Sequence, residues 1–445
     1  MKSPAGNDRS GDLLRALGRW DMAFFLVGTV IGSGIFLVPS EIARDVRSEP
    51  VTIGIWIAGG ILTMLGVLSI AELGSAIPAP GGIYTYIARA YGRLPGFLCG
   101  WAIFTVITSG AIATLAVAFS IYLSGLFAIS AAAGRAVSIL AVLTLTAANV
   151  AGVRTGATVQ NVLTVLKVAG LAGMTIAIFA LAGPAPAPAS LPAAAVPNGI
   201  AGIGVALLGV FWAYEGWHDA TFVAGEVRDP QRNFPAGVVI GELVIVALYV
   251  AANLAYFRVM NAGEIAASPR VGLTAIGKVL GPWGAKALTA AIVCSILGAM
   301  NGSILAGPRA YFQMARDGLL PRGLAEVHAT FRTPAAAIAL QGVWSCVLIL
   351  FIGGFSQLFT YVIFGGWLMY ALATAAVPIL RRKEPELARP FRVPGYPVVP
   401  AVFVVAAAAM TVSTILQRPR ESLLGLGFIA LGVPLYFFFR GSGRE

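Results

Sequence analysis

Residues 27–36 read VGTVIGSGIF, in the middle of an apolar stretch, Trp20 to Val38, long enough to cross a bilayer. A straight spanning helix has no use for Gly28, Gly32, Ser33 and Gly34 so close together, because each interior Gly costs about 1 kcal/mol relative to Ala. A break facing lipid would also leave backbone groups unsatisfied, so it is tolerable only against protein or a water-lined cavity. There the freed N–H and C=O groups form a ready-made site for a small charged molecule. Small residues equally suit a close helix–helix seam, and this stretch alone does not choose between the two.

The surrounding chain sets the class. Its 445 residues are 58% hydrophobic and 11% charged, with mean hydropathy +0.85, whereas soluble domains carry roughly 25% charged residues. Successive apolar runs point to an all-α polytopic membrane protein embedded in a lipid bilayer, without the short alternating segments of a β-barrel. Twelve spans are expected, at 20–43, 51–77, 95–124, 135–152, 156–182, 200–224, 235–257, 285–314, 334–353, 356–380, 397–416 and 422–440. No cleavable signal peptide is expected, since the first 19 residues are polar and basic.

The net charge of +11 is spread over short loops and does not mark a nucleic-acid partner. With the N-terminus placed in the cytoplasm, twenty of the thirty Lys and Arg residues fall on the cytoplasmic side and nine outside, Lys167 belonging to neither. That asymmetry predicts both termini inside, in a cell (inner) membrane. Cys99, Cys294 and Cys346 all sit in apolar runs and read as small core residues without a disulfide framework. No cofactor and no metal site are expected.

Among the connections, Ile83–Tyr91 reads as an amphipathic cytoplasmic segment after the turn-forming Pro78–Gly82. Gly183–Asn198 reads as an extended external linker, rich in Pro and Ala. Met260–Gly284 is charged and external, either a lid folded over the bundle or a loop. The basic stretch Arg309–Thr333 is expected at the cytoplasmic membrane surface.

A second break is expected at Phe211–Phe222, FWAYEGWHDATF. Ionisable groups at membrane depth cost on the order of 3 kcal/mol or more and face a bundle interior. Glu215 lies in the aromatic centre beside Gly216, as a ligand contact or as a structural hydrogen-bond partner. His218 and Asp219 are assigned to a wetter second half of the span, near its mouth. The breaks fall in spans one and six, five spans apart, so the two halves have opposite topology, the signature of an inverted repeat with paired discontinuous helices. The expected organisation is therefore a cytoplasmic N-terminus (1–19), a first five-helix repeat (20–182), a linker (183–199), a second repeat (200–380), and a cytoplasmic loop with two peripheral helices (381–445). Lys167, inside an apolar span, either snorkels to the interface or is an amine buried between helices, as a proton carrier or a fixed substitute for a coordinating cation.

These motifs resemble one family. VGTVIGSGIF (27–36) resembles the first-span signature of the amino acid–polyamine–organocation transporters, and WAYEGWHDATFVAGEVRDPQRNFP (212–235) resembles the sixth span and following loop of their L-amino acid transporter branch. AELGSAIPAPGGIYTYI (71–87), NGSILAGPRAYFQMARDGLLP (301–321) and RPFRVPGYPVVP (389–400) are similar to the same branch, so the likeness covers essentially the whole chain. The resemblance implies a leucine-transporter-type fold of ten core helices plus two peripheral ones. It implies a free amino acid as substrate, moved by alternating access without Na⁺ and by exchange, with proton symport as the alternative. The substrate site it implies comprises Val30, Ile31, Gly32, Ser33, Gly34, Trp212, Ala213, Glu215 and Gly216. In it the N–H groups of Ser33 and Gly34 receive the carboxylate, the carbonyls of Val30, Trp212 and Glu215 receive the ammonium, and Trp212 is the aromatic gate. Lys167 matches a lysine that stands where other members of the fold bind sodium. Glu215 departs from the small residue of many neutral-amino-acid carriers and resembles members that take dibasic substrates, though some bacterial carriers of neutral residues also have an acid there, so the resemblance leaves the substrate's charge open. Ser124–Arg135 carries no cysteine, so no disulfide-linked heavy subunit is expected. Two other classes compete: a membrane-embedded transferase, against which stands the lack of paired carboxylates or a metal-ligand cluster, and an amino acid sensor that binds without transporting.

Overall fold

The computed structural model describes residues 15–127, 129–184, 199–331 and 333–442. The expected linker at 183–199 and the cytoplasmic N-terminus therefore lie largely outside the described residues. Apolar runs of the length seen here can satisfy their backbone only as helices, and that is what the chain builds. In order these are α1 (Arg19–Val30), α2 (Gly34–Asp45), α3 (Glu49–Ala76), α4 (Ile83–Tyr91), α5 (Arg93–Ala102), a π-helical turn (Ile103–Ile107) and α6 (Thr108–Leu123). Then follow α7 (Ala131–Val150), α8 (Val153–Leu181), α9 (Gly199–Ala213), α10 (Asp219–Phe222), α11 (Pro230–Val259) and α12 (Ala262–Ala267). The remainder are α13 (Val271–Ala306), α14 (Pro308–Arg316), α15 (Ala335–Phe351), α16 (Phe355–Lys383), α17 (Val398–Gln417) and α18 (Pro419–Ser442).

Nine of the described helical segments are long and apolar enough to span a membrane, and the bent pair α1–α2 makes a tenth. Two shorter apolar helices, Gly202–Ala213 and Ala335–Phe351, stand where the sixth and ninth spans are expected. The protein is a multi-pass membrane protein. α1 packs against α8, α11 and α13, and α11 against α3, while α16 packs against α3, α4, α6 and α17. The two breaks are thus enclosed by long helices rather than turned toward lipid.

Both breaks are present. α1 stops at Val30, residues 31–33 are non-helical, and α2 leaves Gly34 bent by 47° from α1. α9 stops at Ala213, and the chain turns through Tyr214–His218, with Gly216 at φ 109°, before the short α10. The second half of the expected sixth span is therefore a turn and one helical turn, not a continuous helix to residue 224.

Met260–Gly284 is folded rather than a loop. Asn261 and Glu264 form a capping box that starts α12, and Arg44 Nε on α2 donates to the Ala266 carbonyl at 3.1 Å. A helix from Val271 precedes the eighth span and is parted from it by a kink at Gly281, whose φ of 63° is non-helical, so the span resumes near its expected start. At the predicted cytoplasmic end, residue 17 forms a parallel bridge with Val227. The N–H groups of Ala16 and Leu17 donate to the Glu226 carbonyl at 2.9 and 3.0 Å.

Candidate functional site

The two breaks meet. A Cβ added to Gly34 would lie 2.4 Å from Ala213 Cα, and one added to Gly216 would lie 3.2 Å from the Thr29 carbonyl carbon. The glycines therefore let backbone press on backbone between the two broken spans. Thr29 Oγ1 adds a bond from α1 to the Gly216 carbonyl at 3.4 Å. Both readings of VGTVIGSGIF hold at once: the motif opens the helix and is a close-packing seam.

Around this contact lies a cavity of about 400 Å³ including its open mouth. The first break contributes Thr29, Val30, Gly32, Ser33 and Gly34; the second contributes Trp212, Glu215, Gly216, His218 and Asp219. Thr108, Ala111 and Leu115 of α6 and Ser303 of α13 close the wall. Of the sequence-derived site residues, Ile31 and Ala213 are buried beside the cavity but do not line it. At the start of α2 the Phe36 N–H donates to the Ser33 carbonyl at 3.1 Å, while the Gly34 and Ile35 N–H groups precede any intrahelical acceptor, the arrangement that favours an anion. Trp212 lies over the same space, stacked on Phe359 with centroids 6.0 Å apart and edge-on to Phe355 at 6.2 Å.

The carbonyls freed at the end of α1 are held by side chains from three helices. Lys167 Nζ, on α8, donates to the Gly28 carbonyl at 2.6 Å and to the Ile31 carbonyl at 2.8 Å. It is 1% exposed, an amine buried between helices rather than snorkelling, seated at a helix C-terminus where the macrodipole favours a cation. Ser295 Oγ, on α13, also donates to Ile31 at 3.0 Å. Tyr249, on α11, carries one hydroxyl to both breaks, 3.2 Å from the Val30 carbonyl and 3.0 Å from the Ala213 carbonyl. Sequence gave no sign of Tyr249, whose role depends on a helix 36 residues from one break and 219 from the other.

His218 and Asp219 are corrected by the structure. Each is 2% exposed and lines the cavity rather than a wet mouth. Tyr370 of α16 hydrogen-bonds Glu215 Oε1 and lies 2.9 Å from His218 Nδ1. The other ring nitrogen, Nε2, is 3.5 Å from the same hydroxyl and 3.2 Å from Asp219 Oδ1, which makes no hydrogen bond. Ser303 Oγ donates to Asp219 Oδ2 at 3.2 Å. Glu215 Oε2 has no partner, which leaves one carboxyl oxygen free in the cavity wall. Glu242 on α11 is fully buried with both carboxyl oxygens unpartnered; the depth argument that singles out Glu215 applies equally to it.

The comparisons with known proteins agree with this architecture. Residues 17–439 match the amino acid permease family. The chain is 32% identical to the serine/threonine exchanger SteT of Bacillus subtilis (strain 168), over 93% of this chain and 94% of that protein. It is 30% identical to the human b(0,+)-type amino acid transporter 1, over 97% and 89%. With the human cystine/glutamate transporter it shares 29% identity over 98% and 87%. These relatives are transporters and exchangers, not enzymes. A match spanning both breaks and nearly every helix identifies the chain as a member of the amino acid permease family, within the amino acid–polyamine–organocation transporters.

Proposed function

We propose that this protein carries free L-amino acids across the cell (inner) membrane by alternating access, independently of Na⁺ and by exchange. The observation that carries the reading is that two broken helices line one cavity, with the start of α2 on one side and the Trp212 side chain on the other. In this reading the Ser33 and Gly34 N–H groups take the substrate carboxylate. The carbonyls of Val30, Trp212 and Glu215 take the ammonium, each carbonyl oxygen having a second lone pair beyond any bond it already accepts. Ile31, Gly32, Ala213 and Gly216 shape the backbone around the substrate, and Trp212 closes over it. Lys167 is the fixed cation that holds the first break without sodium.

The same reading counts twelve spans, the two short apolar helices completing the sixth and ninth. They divide into an inverted pair of five-helix repeats, at 20–182 and 200–380, with both termini cytoplasmic. Two peripheral helices follow, and no disulfide-linked heavy subunit is needed. Differential affinity for outward and inward states converts substrate binding into motion.

Purified protein in sodium-free liposomes is the test. Labelled amino acid should enter faster into vesicles preloaded with unlabelled amino acid than into empty ones. Binding without uptake would make the protein a sensor, and equal rates with and without preloading would remove exchange. Glu215→Gly should weaken a dibasic substrate more than a neutral one by about 1.5–3 kcal/mol, the worth of one charge-assisted hydrogen bond. Equal losses in competition assays would remove the side-chain role.

A further inference from the structure

Five of the residues that line the cavity carry a buried side-chain atom without a hydrogen-bond partner: Ser33 Oγ, Thr108 Oγ1, Trp212 Nε1, Glu215 Oε2 and Asp219 Oδ1. Buried polar groups are nearly always paired, so exceptions gathered round one cavity point to a partner that arrives as ligand. Ser33, Trp212 and Glu215 belong to the amino acid site proposed above. Thr108 and Asp219 do not, and nothing in that reading gives either of them a partner.

Each of the two is held by contacts that leave one polar atom over. Asp219 opens α10, where its N–H donates to the Gly216 carbonyl at 3.0 Å and its Oδ2 accepts from Ser303 Oγ at 3.2 Å. Its Oδ1 makes no hydrogen bond, although His218 Nε2 stands 3.2 Å away. Thr108 opens α6 directly after the π-helical turn Ile103–Ile107. The extra residue of such a turn rotates the helix that follows by about 100°. The turn is pinned at the Thr105 carbonyl, which accepts from Trp344 Nε1 at 2.9 Å and from the Tyr361 hydroxyl at 2.8 Å. Thr108, Ala111 and Leu115 then share one helical face, and all three line the cavity. The Thr108 methyl packs on Gly307, where a Cβ would lie 2.6 Å from Cγ2. Both residues flank the Tyr311 phenol, whose one hydrogen goes to Gln341 Oε1 at 2.7 Å.

The two spare atoms complement one functional group. A carboxyl oxygen whose twin already accepts a bond offers a lone pair, while a threonine hydroxyl offers both a hydrogen and lone pairs. A substrate hydroxyl donates to Asp219 and accepts from Thr108, and so satisfies both. An apolar side chain satisfies neither. A cationic one has donors alone and leaves the Thr108 hydrogen without an acceptor. We propose that Thr108 and Asp219 are specificity-determining residues that read a hydroxyl on the side chain of the transported amino acid. The proposal rests on the transport reading above and adds to it the side-chain half of the site.

A site built around a hydrogen bond rejects the analogue that lacks it, because its own buried groups are then left unpaired. Threonine and valine form the matched pair, alike in shape and differing in a hydroxyl against a methyl. Exchange of labelled L-threonine, L-valine and L-arginine is therefore measured in sodium-free liposomes preloaded with the same amino acid. Wild-type kcat/KM should be at least fivefold higher for threonine than for valine or arginine, a comparison that needs no variant. In Thr108→Val and Asp219→Ala the threonine-to-valine ratio should fall at least threefold. Taken within one preparation, that ratio does not depend on how much of a variant folds. A wild-type preference under fivefold, or a smaller fall in either variant, overturns the assignment. Exchange of other amino acids without threonine overturns it as well, whereas protein that exchanges no amino acid overturns the transport reading instead.

Discussion

Replacing Lys167 with Ala tests how much of the first break is held by one side chain. The substitution removes the donors to Gly28 (2.6 Å) and Ile31 (2.8 Å), and only Ser295 remains on the Ile31 carbonyl. Hydrogen bonds to charged groups are worth about 1.5–3 kcal/mol each in water-soluble proteins, but interhelical bonds in membranes average about 0.6 kcal/mol. Even at the lower value, two bonds amount to about 1.2 kcal/mol, or about an eightfold change in an equilibrium at about 1.4 kcal/mol per tenfold. At the upper value the change exceeds a thousandfold. In the proposed alternating-access cycle, the equilibrium affected is the one between α1 packed on α8 and α1 displaced. Turnover in proteoliposomes, normalised to reconstituted protein, should therefore fall at least about eightfold. A variant within twofold of wild type would show that the ammonium fills space rather than fixing the break.

Three further outcomes follow from the geometry. Gly34→Val should abolish substrate binding, measured by scintillation proximity, because its Cβ would meet the Ala213 backbone at 2.4 Å; wild-type affinity would refute the seam. Tyr249→Phe should lower the thermal midpoint in detergent, since two buried carbonyls lose a shared donor at a cost of about 1–3 kcal/mol; an unchanged midpoint would remove the cross-tie between the breaks. At the start of the turn after α16, Arg89 donates to both oxygens of Glu384 and holds that carboxyl below its usual 4.5. A depressed value means the stabilisation is complete above about pH 4.5 and is lost as pH falls through the folded-state value. The pair is partly exposed, so it is worth no more than about 0.5 kcal/mol. The small difference in melting point between wild type and Arg89→Ala should accordingly narrow in acid; a constant difference would mean that the pair contributes through packing.

How far the fold could be read from sequence depended on where each residue's partners lie. The glycine motif and FWAYEGWHDATF declared both breaks because a break is a local event, written in the residues that would otherwise have to be helical. The amphipathic Ile83–Tyr91 was legible for the same reason, its period being its own. The apolar neighbours of Lys167 left snorkelling and burial both open, because the two acceptors that decide between them belong to α1 and are far away in sequence. His218 and Asp219 were misjudged because distance along a helix was taken as depth, whereas Tyr370, about 150 residues later, is what encloses them. Tyr249 gave no signal at all, since a tyrosine in an apolar span reads as packing until its hydroxyl has an address. Met260–Gly284 was ambiguous because a capping box of two residues competes there with Pro, Gly and charge.

The contact between Gly34 and Ala213, and its counterpart between Gly216 and Thr29, has a consequence for anyone wishing to redirect what this protein carries. At those four positions neither strand of the clasp can be altered alone, since a methyl group on one side needs vacant room on the other. Variation aimed at selectivity should therefore be spent on the side chains of Glu215, His218 and Ser303, which line the same cavity. The fold has separated the part that must stay fixed from the part that is free to drift.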